Sequence, residues 1–150
     1  SGTVAEKVRI PSTGGITFNG DTAAANALDD YEEGTWTPAT SLGSCTVHMA
    51  NYIKIGRKVQ LWASISGITE NSSGAQLYFT GLPYTTEISA AGGSMMGYDV
   101  NSMTYTVYIN GGEKIYFYGI NAGTSWEVNT YNQYTASSQL YFNATYEATA

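Results

Sequence analysis

The sequence is poor in charge, cysteine and histidine, and each shortage removes a class of function. Charged residues make up 12% of the chain, about half the roughly 25% usual in soluble domains. The single cysteine, Cys45, allows no intrachain disulfide and no thiolate metal cluster, and reads as a small buried thiol. The only histidine, His48, stands three residues further on. That odd separation puts the two side chains on opposite faces of a strand, which argues against a Cys–His catalytic pair. Too few ligands remain for a zinc site, and neither a Gly-x-Ser-x-Gly elbow, a DxDxDG calcium loop nor a phosphate-binding loop is present. No metal and no cofactor is therefore expected. Bases are scarce as well: beyond Lys58, Lys114 alone faces six acids. The clustered cations that neutralise phosphates are missing, so neither nucleic acid nor an anionic membrane surface is an expected partner. No apolar run approaches the ~18 residues of a membrane span, and the first 30 residues carry no signal-peptide pattern.

What is present is apolar, tyrosine-rich and glycine-rich. The 43% hydrophobic content is enough for one core, and 13 Tyr and 17 Gly accompany it, a composition suited to an extracellular or virion β-protein. The pattern changes near residue 35. Residues 1–34 hold a short amphipathic stretch, VAEKVRIP, then STGGITFNGD, then TAAANALDDYEEG, whose alanines favour a short helix capped by Asp21 or Thr22 and ended by Gly34. This zone has too little apolar surface to fold alone and reads as an extended or partly helical stem. Residues 35–150 read as a head domain with period two: CTVHM, KVQLWASIS, QLYFTGLP, GSMMGYDV, TYTVYI, KIYFYGI and QLYFNATYE, with NGGEK as a hairpin turn. Seven to eight short strands separated by turn signals indicate an antiparallel β-sandwich or jelly roll.

The faces of those strands differ. One carries Val59, Leu61, Ile65, Val107, Ile109, Ile115, Phe117, Leu140 and Phe142, a core. The other carries Trp62, Tyr78, Tyr108, Tyr116, Tyr118 and Tyr141 where a monomeric sandwich would be polar. Two readings stand: half-exposed aromatics that simply favour strands, or a face that meets a neighbouring subunit or a sugar.

Four carboxylates, Asp29, Asp30, Glu32 and Glu33, crowd into the stretch LDDYEEGTWTP. Glycoside hydrolysis needs only two carboxylates, but it needs them held rigidly in environments that separate their pKa values. Four acids in a weakly structured zone read better as a solvated acidic turn or helix end.

AEKVRI (Ala5 to Ile10) and LDDYEEGTWTP (Leu28 to Pro38) resemble a segment of bacteriophage and prophage tail-fibre and tail-spike proteins, in which a repetitive shaft opens into a β-structured head. YIKIGRKV (Tyr52 to Val59) and GLPY (Gly81 to Tyr84) resemble elements that follow in those heads, in the same order, whereas residues 85–137 match no named element. The resemblance implies a non-enzymatic homotrimeric adhesin tip on a virion, made in the host cytoplasm, that binds a host cell-surface glycan or protein. It makes DDYEEGTWTP a joint between stem and head, with Trp36 and Pro38 fixing the entry strand. Asp29, Asp30, Glu32 and Glu33 then pair with Lys54, Arg57 and Lys58 of the same or a neighbouring chain, and Trp62, Tyr116, Tyr118 and Tyr141 join them as candidate interface residues. In the loop-like GTSWEVNTYNQYTASS, the aromatics Trp126, Tyr131 and Tyr134 are candidates to stack on a sugar, and Asn129 and Asn132 to bind its hydroxyls. A purely structural trimerisation or head-fibre domain and, less favoured, a polysaccharide depolymerase are the competing functions.

Overall fold

The computed structural model describes residues 5–12, 14–23, 27–28, 30–86, 91–101, 105–120 and 125–149. The protein is all-β, with no α-helix among the described residues. Near the N-terminus β1 (Val8–Arg9) pairs with β2 (Thr17–Phe18) in a two-stranded sheet, and Ile16 bridges to Leu28. Residues 24–26 and 29 of the helix expected to end at Gly34 lie outside the described residues, but its end is not helical: Gly34 lies inside β3 (Tyr31–Thr35). Tertiary pairing overrides the local helix signal. Gly34 is the register partner of Tyr52, and a Cβ at Gly34 would come within 3.0 Å of the Tyr52 ring. The glycine lets that ring lie across the strand, an aromatic cover over a residue otherwise weak in sheets.

The remaining strands are β4 (Ala39–Thr40), β5 (Thr46–Ile55), β6 (Lys58–Ser66), β7 (Tyr78–Thr80), β8 (Ala91–Val100), β9 (Tyr105–Asn110), β10 (Lys114–Gly119), β11 (Glu127–Val128) and β12 (Tyr134–Glu147). They form one antiparallel sheet in the order β3-β5-β6-β12-β8-β9-β10-β7-β4, with β11 on β10. The two stacked sheets of the sandwich expectation are thus joined into one continuous sheet. It curls until its halves face each other: Phe142 of β12 stacks on Phe79 of β7 at 6.0 Å and meets Phe117 of β10 edge-on at 5.1 Å.

The stretch TWTP explains how the curl is held. β3 pairs with β5 at one sheet edge and β4 pairs with β7 at the other, so the few residues between them tie both edges together. Trp36 is buried, donates its backbone N–H to Ala50 at 3.0 Å and packs edge-on to Phe142. Gly81 sits against this crossing at φ +90, where a Cβ would approach the Thr37 carbonyl oxygen to 2.2 Å, so only glycine fits. Tying both edges leaves fewer backbone groups open to strand addition.

Turn chemistry sets the hairpins. In the two-residue β5–β6 turn Gly56 alone has positive φ, the type II′ pattern. In the β9–β10 turn the Asn110 carboxamide oxygen accepts from Gly112 N and Lys114 N, while Glu113 takes positive φ. One expected alternation fails: the period of CTVHM puts Cys45, Val47 and Met49 on one face, but β5 is bulged between Val47 and Met49, and both are exposed.

Candidate functional site

β9, β10 and β7 alternate strictly. Val107, Ile109, Ile115, Phe117 and Phe79 enter the core, so Tyr108, Tyr116, Tyr118 and Tyr78 must emerge on the other face. Register aligns Tyr108, Tyr116 and Tyr78 in one cross-strand row. Tyr78 and Tyr116 lie 5.4 Å apart, Tyr108 and Tyr118 meet edge-on at 6.0 Å, and Lys114 Nζ stands 4.6 Å over the Tyr78 ring. Such pairs contribute ~0.5–1.5 kcal/mol beyond area burial and fix ring orientations.

β11 completes the site. Its pairing of Val128 with Tyr118 and Glu127 with Gly119 brings the preceding residue, Trp126, beside the tyrosines. Trp126, Tyr118, Tyr108, Thr106, Val107 and Gly92 line an open cleft of about 460 Å³. A Cβ at Gly92 would meet nothing within 4 Å, so this edge of the cleft is bare backbone. Trp126 is 48% exposed, a large ring left at the surface beside two phenols. Among the described residues the lining contains no carboxylate, imidazole or thiol. It offers flat π-faces, phenolic hydroxyls and a threonine hydroxyl, which is a means of binding rather than of proton transfer.

The structure separates the candidates read from sequence. Trp126 and Tyr118, assigned to ligand and to interface respectively, belong to this one cleft, and Tyr116 lies in the adjoining row. Tyr131, Tyr134 and Asn129 are buried and are not ligand-facing. The Tyr131 hydroxyl lies 2.9 Å from Ser41 Oγ and accepts from Leu42 N; Asn129 Nδ2 donates to the Tyr134 hydroxyl at 3.0 Å. Burial pushes the Tyr134 phenol above its ordinary pKa. The polar character of NTYNQY suggests a solvated loop, but its polar groups find partners within the segment and at Ser41 and Leu42, which lets it enter the body. Asn132 is exposed and accepts from Thr130 Oγ1; it lines a separate polar cleft of about 260 Å³ with Asp99, Asn101, Gln133 and Thr135.

The acidic joint is engaged within the chain. Lys54 is buried, pairs with Asp30 and with Glu32 at 3.7 Å, and stands 5.2 Å over the Tyr84 ring. Tyr84 donates to Glu32, which raises the Tyr84 pKa, and lies 3.3 Å from the Tyr52 hydroxyl. Arg57 pairs with Glu147 at 3.2 Å and donates to the Ala148 carbonyl, Glu33 accepts from Tyr31, and Lys58 is exposed opposite Glu147. Asp29 lies outside the described residues. Trp62 and Tyr141 sit on the outer face of β6 and β12, the opposite layer from the aromatic cleft.

Sequence reasoning passed over Thr106, Gly92 and the knot around Tyr84. Thr106 was legible as an outward residue of β9, whereas Gly92 and Tyr84 reach their positions through pairings distant in the chain. Among the described residues no group of three or more His, Cys, Asp or Glu side chains is placed to hold a metal ion, and no helix is long and apolar enough to cross a membrane. Comparison with protein-family models, with curated proteins and with solved structures finds no match.

Proposed function

We propose that this chain is the receptor-binding tip of a bacteriophage tail fibre or tail spike, that it works as a homotrimer with a jelly-roll-like head, and that it binds a host cell-surface glycan without cleaving it. The observation that carries the reading is the Trp126–Tyr118–Tyr108 cleft. Exposed aromatic faces stack on the C–H face of a pyranose, while phenol and threonine hydroxyls bond its rim. Among the described residues the lining holds no carboxylate, which favours binding over hydrolysis, a reaction that needs a pair of them about the scissile bond. The low charge of the chain agrees with a neutral, hydroxyl-rich ligand.

The test is a glycan-array screen with the purified protein, followed by incubation with each bound glycan and an assay for new reducing ends. Binding without release is expected. Release of oligosaccharide, abolished by changing one carboxylate, would make the chain a depolymerase. Absence of any glycan or cell-surface binding by a folded oligomer would favour the purely structural reading, a trimerisation or head-fibre domain.

A further inference from the structure

Further along the outer face of the same curled sheet, from β8 to β5, lies a surface of different chemistry from the aromatic cleft. On the outer face of β5, β6, β12 and β8, register places Met49, Ser64, Tyr141 and Met96 in one cross-strand row. Trp62 lies in the row on one side of it and Tyr98 in the row on the other. Met96 and Tyr98 are 61% and 64% exposed, unusual for large side chains in the middle of strands. The three rows contain no charged group. Lys58, Glu147 and Glu33 stand at one rim and Asp99 at the other, and His48, bonded to Ser66, is the nearby titratable side chain.

We infer that this face is where copies of the chain meet. The inference rests on the proposed assembly and adds its surface. A chain of net charge −6 repels its own copies wherever its charges approach. A neutral, Met- and Tyr-bearing face lets like-charged copies close together, and depletion of charge with enrichment in aromatics and Met marks interface cores. The size also fits. Four strands at ~4.8 Å and about eight residues at ~3.3 Å give a flat area on the order of 500 Å², which side-chain relief enlarges towards the ~800 Å² per partner of a standard interface. Trp126, ahead of β11, lies three strands along the sheet from β8, so in joined copies several clefts can act together on a polyvalent surface.

Light scattering on the full chain tests this, with Tyr141→Arg and Met96→Glu as variants. Both sites are exposed, so a matching circular dichroism spectrum is expected. The native chain should scatter as a multiple of 16.1 kDa, and each variant should fall toward one chain mass at micromolar concentration. Tyr118→Arg, in the aromatic cleft, should keep the native mass. A native chain that is a monomer would overturn both the assembly and this face. A native oligomer whose mass survives Tyr141→Arg and Met96→Glu would overturn only the face. Loss of mass on deleting residues 1–27, which include the exposed Val8, Ile10 and Phe18, with those two variants still assembled, would put the contact on the N-terminal hairpin instead. Glycan binding is read separately in each case.

Discussion

Replacing Lys54 by Met should destabilise the protein by about 2 kcal/mol. Met keeps most of the aliphatic stem over Tyr84 and removes only the charge. Lys54 is 10% exposed, which approaches the buried case, where removing one ion-pair partner costs ~3–5 kcal/mol. Its partners Asp30 and Glu32 are 40% and 50% exposed, so water rehydrates the carboxylates left behind. That pulls the cost toward the ~0–1 kcal/mol of surface pairs. An intermediate ~2 kcal/mol corresponds to a fall in Tm of about 4–8 °C for a chain of this size. The assay is thermal unfolding at fixed protein concentration for Lys54→Met, for Asp30→Asn with Glu32→Gln, and for all three together. The triple variant should be less destabilised than the sum of the other two by about 1 kcal/mol or more, because each of the other two already removes the same ion pairs, which the triple variant loses only once. Strict additivity, or an unchanged Tm for Lys54→Met, would refute the account of this knot as a coupled unit.

Tyr131→Phe should cost about 1 kcal/mol, since Leu42 N loses its acceptor at a position water can reach; glycan binding should be unchanged because Tyr131 is buried, and calorimetry with a binding titration checks both. Gly93→Ala should be among the most damaging single changes, because a Cβ there would lie 1.9 Å from the Asn143 carbonyl oxygen. The obstacle is backbone, so ~3 kcal/mol is expected, read as a lowered denaturation midpoint. Stability should fall in alkali. Burial holds the Tyr134 and Tyr146 phenols above their ordinary value of 10.0. The folded state therefore keeps protons that the unfolded chain releases, and stability is full below about pH 10 and declines above it, by up to ~1.4 kcal/mol per pH unit for Tyr134. Absorbance at the phenolate band should show these two groups ionising only with unfolding.

The fold was legible where one side of a strand is core. KVQLWASIS, TYTVYI and KIYFYGI alternate cleanly and became β6, β9 and β10. The weaker GSMMGYDV became the ten-residue β8 because it is paired on both sides, by β12 and β9, a support no local pattern reveals. At the end of TAAANALDDYEEG the reverse happened: YEEG, expected to close a helix, is drawn into β3 by pairing with β5. At the site, period two put Tyr108, Tyr116 and Tyr118 on one outward face, and composition singled out Trp126. That these form one cleft depends on β11 pairing with β10, which a two-residue strand cannot announce. Tyr131, Tyr134 and Asn129 were misread because a polar side chain that finds its partners inside the fold looks, in sequence, like one that faces water.

The measurement that bears most directly on the account is affinity for the strongest array-selected glycan, by titration calorimetry, in the native protein and in Trp126→Ala. Trp126 is an exposed residue ahead of a two-residue strand, so the variant should keep the native circular dichroism spectrum and Tm. Loss of a central aromatic contact typically costs ~2 kcal/mol or more, about thirtyfold in Kd, and at least that weakening is expected. Equal affinity in a folded Trp126→Ala protein would contradict the claim that the aromatic cleft reads the receptor.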